Sequence, residues 1–92
     1  MEYSYPLRTD WATDEIIFVV AFYEVIEKAY ETGTERENIM NAYREFKKVV
    51  PSKAEEKTLL REFEEASGYS SYHIVKSAEN AASGEMIKGT LK

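Results

Sequence analysis

The sequence predicts an all-α protein: a compact bundle of three main helices plus a shorter fourth, with an extended N-terminal arm. Two observations support this prediction. Apolar residues recur at three- and four-residue steps over most of the chain, which is the period of an amphipathic helix. Capping residues, glycines and a proline separate these segments by short connections, which make successive helices neighbours. We therefore expect residues 1–92 to form a single helical domain.

The first helix is predicted between Thr13, interpreted as its N-cap, and Gly33, which follows its last turn. Its apolar residues form two adjacent stripes, so we expect it to be buried on most of its circumference. The β-branched run Ile-Ile-Phe-Val-Val at 16–20 could alone form a buried strand, but the pattern continues through Glu24 to Tyr30 without a turn residue. Two stripes in so short a chain can leave apolar surface uncovered, which makes a homo-oligomer a further expectation.

The second and third helices are each predicted to start at a capping box. The boxes lie at 34–37 and 52–55, where a hydroxyl accepts from the amide three residues on and a glutamate reaches back. The second helix must end before Pro51, which disfavours helical geometry in the residue before it. The third helix is predicted to end at Gly68.

The remaining segments are a short helix and two flanking regions. Ser70 or Ser71 is expected to cap the fourth helix, which continues until Gly84 stops it. Residues 85–92 are expected to form a flexible tail. Residues 1–12 are expected to be an extended arm lying on the bundle. The arm has alternating apolar residues and a tryptophan near its end: Tyr3, Tyr5, Leu7 and Trp11.

The composition excludes several classes of protein. The chain has 12 lysines and arginines against 17 acidic residues, a net charge of −5, which is the wrong sign for a surface that binds phosphates throughout. Cysteine is absent, which excludes disulfides and thiolate metal sites. The N-terminus lacks the basic region of a secretory signal, and no apolar run is long enough to cross a bilayer. We therefore expect a cytoplasmic protein without a membrane segment.

Two blocks of sequence resemble a known family. They are VPSKAEEK at 50–57 and FEEASGYSSY at 63–72. With shorter matches from Tyr3 to about Lys76, they resemble an uncharacterised family of small proteins from low-GC Gram-positive, Bacillus-type bacteria, a UPF-type family with no assigned function. The resemblance implies an all-α cytoplasmic protein without an assigned activity, cofactor or substrate. It transfers no functional residue to this chain.

Enzymatic activity is not expected, because the chain has few groups that titrate near neutrality. It has no cysteine and a single histidine, His73. Ser70 and Ser71 lie near His73, but no Gly-x-Ser-x-Gly elbow surrounds them, and a helix cap explains them better. Metal ligands at a fixed spacing and glycine-rich phosphate loops are also missing from the sequence. No catalytic residue, cofactor or metal is therefore predicted.

A candidate interaction surface lies in the third helix and the corner after it. Lys53, Lys57 and Arg61 are spaced by four and align along one helix face, where like charges mildly repel. They form either a patch for an acidic partner or an ordinary solvated face. Tyr69 and Tyr72 either extend that surface, as tyrosine does at interfaces, or anchor the corner between two helices.

The sequence leaves the function unknown, with two hypotheses for this surface. The first is a small protein-interaction or regulatory module that binds an unidentified protein partner. The alternative is a single-stranded nucleic-acid or RNA-associated protein, in which aromatic stacking beside a basic groove works despite net acidity. Duplex DNA is not expected as a partner, because the third helix, which would enter the major groove, has more acidic than basic side chains.

Overall fold

A computed structural model of the protein describes residues 4–90, which contain four helices and two short strands. The elements in chain order are α1 (Thr13–Glu31), β1 (Thr34–Glu35), α2 (Arg36–Val49), α3 (Lys53–Ser67), α4 (Ser71–Glu79) and β2 (Met86–Ile87). The predicted all-α bundle, with its shorter fourth helix and extended arm, is confirmed. Tyr3 of the predicted arm and Leu91 and Lys92 of the predicted tail lie outside the described residues.

The core is organised around two consecutive aromatic residues of α1. Phe22 stacks on Phe46 of α2, and Tyr23 stacks on Phe63 of α3, with ring centroids 4.6 Å apart in both pairs. All four side chains are fully buried. Stacked aromatic pairs contribute about 0.5–1.5 kcal/mol each beyond the area they bury. α1 therefore holds α2 and α3 at once. The expected burial of most of its circumference is wrong, because Ile17 and Phe18 are 60% and 38% exposed.

The N-terminal arm crosses from α1 to α3. The Tyr5 ring lies 5.3 Å from that of Tyr23, and its hydroxyl donates to Glu27 Oε1 at 2.7 Å. Burial and the Glu27 carboxylate raise the pKa of Tyr5, so this hydroxyl stays protonated. The Arg8 guanidinium then makes two hydrogen bonds, of 3.2 and 3.3 Å, to the carboxylate of Glu62 on α3. These contacts attach the extended arm to two different helices.

Several predicted helix ends are confirmed. Ser52 caps α3 because its hydroxyl accepts from the Glu55 amide at 3.3 Å. Gly68 ends α3 with a φ of 83°, a backbone angle that residues with a Cβ rarely adopt. Ser70 caps α4 by accepting from the His73 amide at 3.3 Å. The serines near His73 thus include a helix cap.

Two other predicted ends are wrong. The N-cap of α1 is Ala12 rather than Thr13, and the Glu15 carboxylate accepts from the Ala12 amide at 2.8 Å. This single bond from the first turn replaces the hydroxyl cap that the sequence suggested. α4 ends at Glu79 and does not continue to Gly84, because the chain turns back toward α2.

The predicted capping box at the start of α2 is also wrong. Thr34 belongs to β1, where it is 2% exposed and accepts from Asn38 Nδ2 at 3.0 Å. The Glu37 carboxylate accepts from the Gly84 amide at 2.9 Å and from the Ser83 hydroxyl at 3.0 Å. Thr34 and Glu37 therefore hydrogen-bond to other residues and not to each other. A local sequence motif does not reveal that more distant residues will compete for its side chains.

The predicted flexible tail at 85–92 instead has a defined position over its described part. β2 pairs antiparallel with β1, and Thr34 lies opposite Ile87. Ile87 is 5% exposed, and the Gly89 amide donates to the Ala29 carbonyl at 2.9 Å. The pairing escapes sequence analysis because each strand has only two residues and the strands are far apart in the chain.

Gly89→Ala should undock this segment from the bundle. A Cβ at position 89 would lie 2.5 Å from the Tyr30 ring, so the ring or the segment must move. We expect faster amide exchange in β2 and a stability loss of about 1–3 kcal/mol, the usual cost of overpacking. Lys88→Ala, at an exposed neighbour, is the control. Unchanged exchange of β2 in Gly89→Ala would contradict the docking.

The contact between Glu37 and the 83–84 turn should make stability depend on acid pH. The hydrogen bond from the Gly84 amide lowers the pKa of Glu37. Its contribution is therefore complete above the unfolded pKa, about 4.3, and disappears as the pH falls through the lower folded pKa. We expect Glu37→Gln to reduce the melting temperature at pH 7. The melting temperature of the variant should also decrease less than that of the wild type as the pH falls through this acid range. Glu35→Gln, at an exposed position in β1, makes the same change of charge without removing the contact to the 83–84 turn and is the control.

Candidate interaction surface

A groove with a volume of about 820 Å³ lies between α3 and α4 and is also lined by Tyr43 of α2. Four of the five residues predicted for the interaction surface line it: Lys53, Lys57, Arg61 and Tyr72. We call it the basic groove. Its remaining lining consists of Lys76, three glutamates, Ser71 and apolar residues that include Leu60 and Val75.

The basic side chains reach the groove because of their helical spacing. Residues four apart lie on one face of a helix, so the three cations of α3 point away from Phe63, which is buried against α1. The same spacing places Tyr72 and Lys76 together on α4. The Lys76 ammonium lies 5.8 Å from the centroid of the Tyr72 ring, within the range of a cation–π contact. Tyr72 is 64% exposed.

Two of the three glutamates in the groove already have a basic partner within the protein. Glu56 accepts from Lys47 at 2.6 Å and from the Tyr43 hydroxyl at 2.7 Å. Burial and the Glu56 carboxylate raise the pKa of Tyr43, which keeps its hydroxyl a donor. Glu79 lies 3.7 Å from Lys76. Both carboxylates are therefore paired with a lysine of the same chain, and their negative charge does not dominate the electrostatic potential of the groove.

The three cations of α3 have no ion pair with any residue that the structure describes. Within the described part of the chain, no ion pair or hydrogen bond joins Lys53, Lys57 or Arg61 to another side chain. The third glutamate of the groove, Glu64, also lacks an ion pair there. Three free cations thus accompany one free carboxylate. The groove is locally positive on a protein whose net charge is −5.

Ser71 adds an unsatisfied polar group to the lining. It is 1% exposed, and its hydroxyl has no hydrogen-bond partner among residues 4–90. A buried hydroxyl without a partner costs free energy, since it has lost its hydrogen bonds to water. The groove therefore combines positive charge, apolar surface and one unused donor.

Tyr69 is the predicted surface residue that lies elsewhere. Its ring stacks on Tyr30 of α1 with centroids 4.7 Å apart, and its hydroxyl lies 3.4 Å from Glu31 Oε2. The Tyr30 hydroxyl in turn accepts from the Ser70 amide at 3.1 Å and lies 3.3 Å from its carbonyl. Tyr69 and Tyr30 thus anchor the corner between α3 and α4. The two tyrosines of the GYSSY block therefore differ in position: Tyr69 packs on α1, and Tyr72 lines the basic groove.

Sequence analysis missed the contribution of α4 to the groove. Lys76 follows Tyr72 by four residues, so helical spacing alone could have placed it on the same face. The sequence predicts Leu60 and Val75 to be core residues, and nothing in their spacing indicates that they border a groove. The sequence predicts a helix cap at Ser70 or Ser71 and does not indicate that Ser71 lines a groove.

Residues 4–90 contain neither a metal-binding cluster nor a membrane-spanning helix. In the stretch from Ser4 to Thr90, no three histidine, cysteine, aspartate or glutamate side chains lie close enough to hold a metal ion. None of the helices described is long and apolar enough to span a membrane.

The fold and the groove define a small all-α protein with a positively charged surface groove. The profile of an uncharacterised protein family, UPF0223, matches residues 2–87. A UPF0223 protein of Lysinibacillus sphaericus (strain C3-41) is 61% identical over 88 residues, which cover 96% of this chain and 93% of the relative. The UPF0223 protein YktA of Bacillus subtilis (strain 168) is 53% identical over 81 residues, which cover 88% of this chain and 92% of YktA. The chain belongs to the UPF0223 family, which confirms the resemblance found in its sequence.

Ser71 in the groove and Ser67 outside its lining provide a matched test of whether the Ser71 hydroxyl has a hydrogen-bond partner. Ser71→Ala removes a hydroxyl without a partner, so we expect the stability to stay unchanged or to rise. Ser67→Ala removes a hydroxyl that donates to the Phe63 carbonyl at 2.6 Å and accepts from the Tyr69 amide at 3.1 Å. It should lower the free energy of unfolding by about 0.5–1.5 kcal/mol per bond lost. Urea unfolding of both variants measures the difference, and equal losses would contradict it.

Proposed function

We propose that this protein is a non-enzymatic interaction module whose basic groove binds an acidic segment of a partner protein. The proposal depends on one observation: three cations that have no ion pair among residues 4–90 line the same groove as an exposed tyrosine. The UPF0223 family has no assigned function, so the support for this role comes from the groove.

The chemistry of the groove favours a carboxylate-bearing peptide. Carboxylates can pair with Lys53, Lys57 and Arg61 without first breaking an existing ion pair, so binding does not incur that cost. Leu60 and Val75 offer apolar surface for one aliphatic or aromatic side chain of the partner. Tyrosine is a frequent centre of binding energy in interfaces, and Tyr72 is 64% exposed. The expected ligand is an acidic segment with one apolar anchor.

A single-stranded nucleic acid is the second candidate, and the exposed Tyr72 ring is the observation that favours it. Base stacking on an aromatic ring beside cations is how such proteins bind without sequence preference. Glu64, which has no ion pair among residues 4–90, disfavours it, since a phosphate backbone is charged at every nucleotide and would run beside this carboxylate. A peptide can avoid the Glu64 carboxylate by placing a neutral residue opposite it.

Selection of displayed random peptides on immobilised protein tests the first candidate. On the wild type we expect enrichment of acidic peptides with one large apolar residue. The triple variant Lys53→Glu, Lys57→Glu, Arg61→Glu should lose this enrichment, and Tyr72→Ala should weaken binding of the selected peptides by about tenfold, as for a strong interface residue. The matched control reverses three cations outside the groove lining: Arg44→Glu, Lys48→Glu and Lys88→Glu.

The control separates binding in the groove from attraction to overall charge. Equal loss in the control and the groove variant would contradict a specific site, because both change the net charge equally. Absence of enriched peptides on the wild type would contradict the peptide proposal. Binding of oligouridine or oligothymidine that weakens steeply with salt, and is lost in Tyr72→Ala, would favour the second candidate.

A further inference from the structure

α1 has an apolar face that no described element covers. Ile17 is 60% exposed and Phe18 is 38% exposed, and Ala21, one turn further, is also exposed. Val25 continues the same side of the helix and is partly buried. None of these residues lines the basic groove. This surface is therefore separate from the one considered above.

Charged residues bound this apolar stretch at equal distances. Asp14 lies seven residues before Ala21 and Lys28 lies seven residues after it, close to two helical turns in each direction. All three therefore share one face of α1. Asp14 and Lys28 are both exposed, and neither takes part in an ion pair within residues 4–90. We call this surface the α1 face: Asp14, Ile17, Phe18, Ala21, Val25 and Lys28.

This arrangement is complementary to itself when two copies run antiparallel. With the two Ala21 residues at the crossing point, Asp14 of each copy lies level with Lys28 of the other. Ile17 then lies level with Val25 of the second copy, and the small Ala21 side chain lets the helices approach closely. A parallel pair would place Asp14 beside Asp14. The charges therefore select the antiparallel arrangement, and the apolar residues remain matched in it.

We propose that the α1 face is the interface of a symmetric antiparallel homodimer centred on Ala21. In a two-fold dimer the same patch serves both copies, so one Asp14–Lys28 contact implies two. The interface uses α1 only, whereas the basic groove is lined by α2, α3 and α4. Both grooves would stay open in the dimer, and two linked sites bind a repeated partner more tightly than one.

Charge reversal tests both the dimer and its register, measured by sedimentation equilibrium between about 10 μM and 1 mM, the range suited to micromolar affinity. The wild type should show a monomer–dimer equilibrium. Asp14→Lys or Lys28→Asp alone should weaken dimerisation about threefold to tenfold, because two attractive pairs become repulsive. The double variant Asp14→Lys, Lys28→Asp should recover wild-type dimerisation. The two single variants, when mixed, should prefer each other over themselves.

Ala21→Glu tests the centre of the interface. It places two carboxylates at the crossing point, so dimerisation should weaken by more than about tenfold. Ala21 is exposed, so the monomer should remain folded, which circular dichroism checks. Ala54→Glu, on an exposed position of α3, is the control and should leave dimerisation unchanged.

Three results would overturn the proposal. They are a wild type that is monomeric throughout the concentration range, unchanged dimerisation of Ala21→Glu, and a double charge reversal that does not recover. The last result would show that the apolar residues associate without the antiparallel register.

Discussion

The stacking of two adjacent residues of α1 on two different helices is the constraint on which the rest of the fold depends. Successive residues of an α-helix point about 100° apart, so Phe22 and Tyr23 can each stack on a ring from a different helix. Phe22 takes Phe46 of α2 and Tyr23 takes Phe63 of α3. The arm completes this layer when Tyr5 packs beside Tyr23. α1 is thus the element that relates the other helices to each other.

The basic groove follows from this division of contacts. α3 is held to α1 through Phe63, while α4 packs mainly on α2. α3 and α4 are in contact with each other but leave a groove between them. Repulsion among Lys53, Lys57 and Arg61 is small because these side chains are exposed to water, where charge interactions are weak. The fold can therefore keep three unpaired cations at little cost in stability.

The α1 face arises from the small size of the chain. Three further helices, one arm and one short ribbon cannot surround a helix that is apolar on two stripes, since a small domain buries a limited share of its surface. The uncovered side contains Ile17, Phe18 and Ala21. The groove and the α1 face lie on different helices. Evidence for binding at one of them therefore neither requires nor excludes binding at the other.

The sequence by itself determined the elements that depend on local chemistry. Helical periodicity and the caps at Ser52, Gly68 and Ser70 predicted four helices, and spacing by four aligned the cations of α3. Only the tertiary structure decided the features that join residues distant in the chain. Thr34 pairs in a strand with Ile87, and Tyr69 packs inward on Tyr30 while Tyr72 faces solvent. The physical reason is that helix formation is governed by neighbours within about four residues, whereas strand pairing and side-chain burial depend on packing partners that sequence order does not reveal.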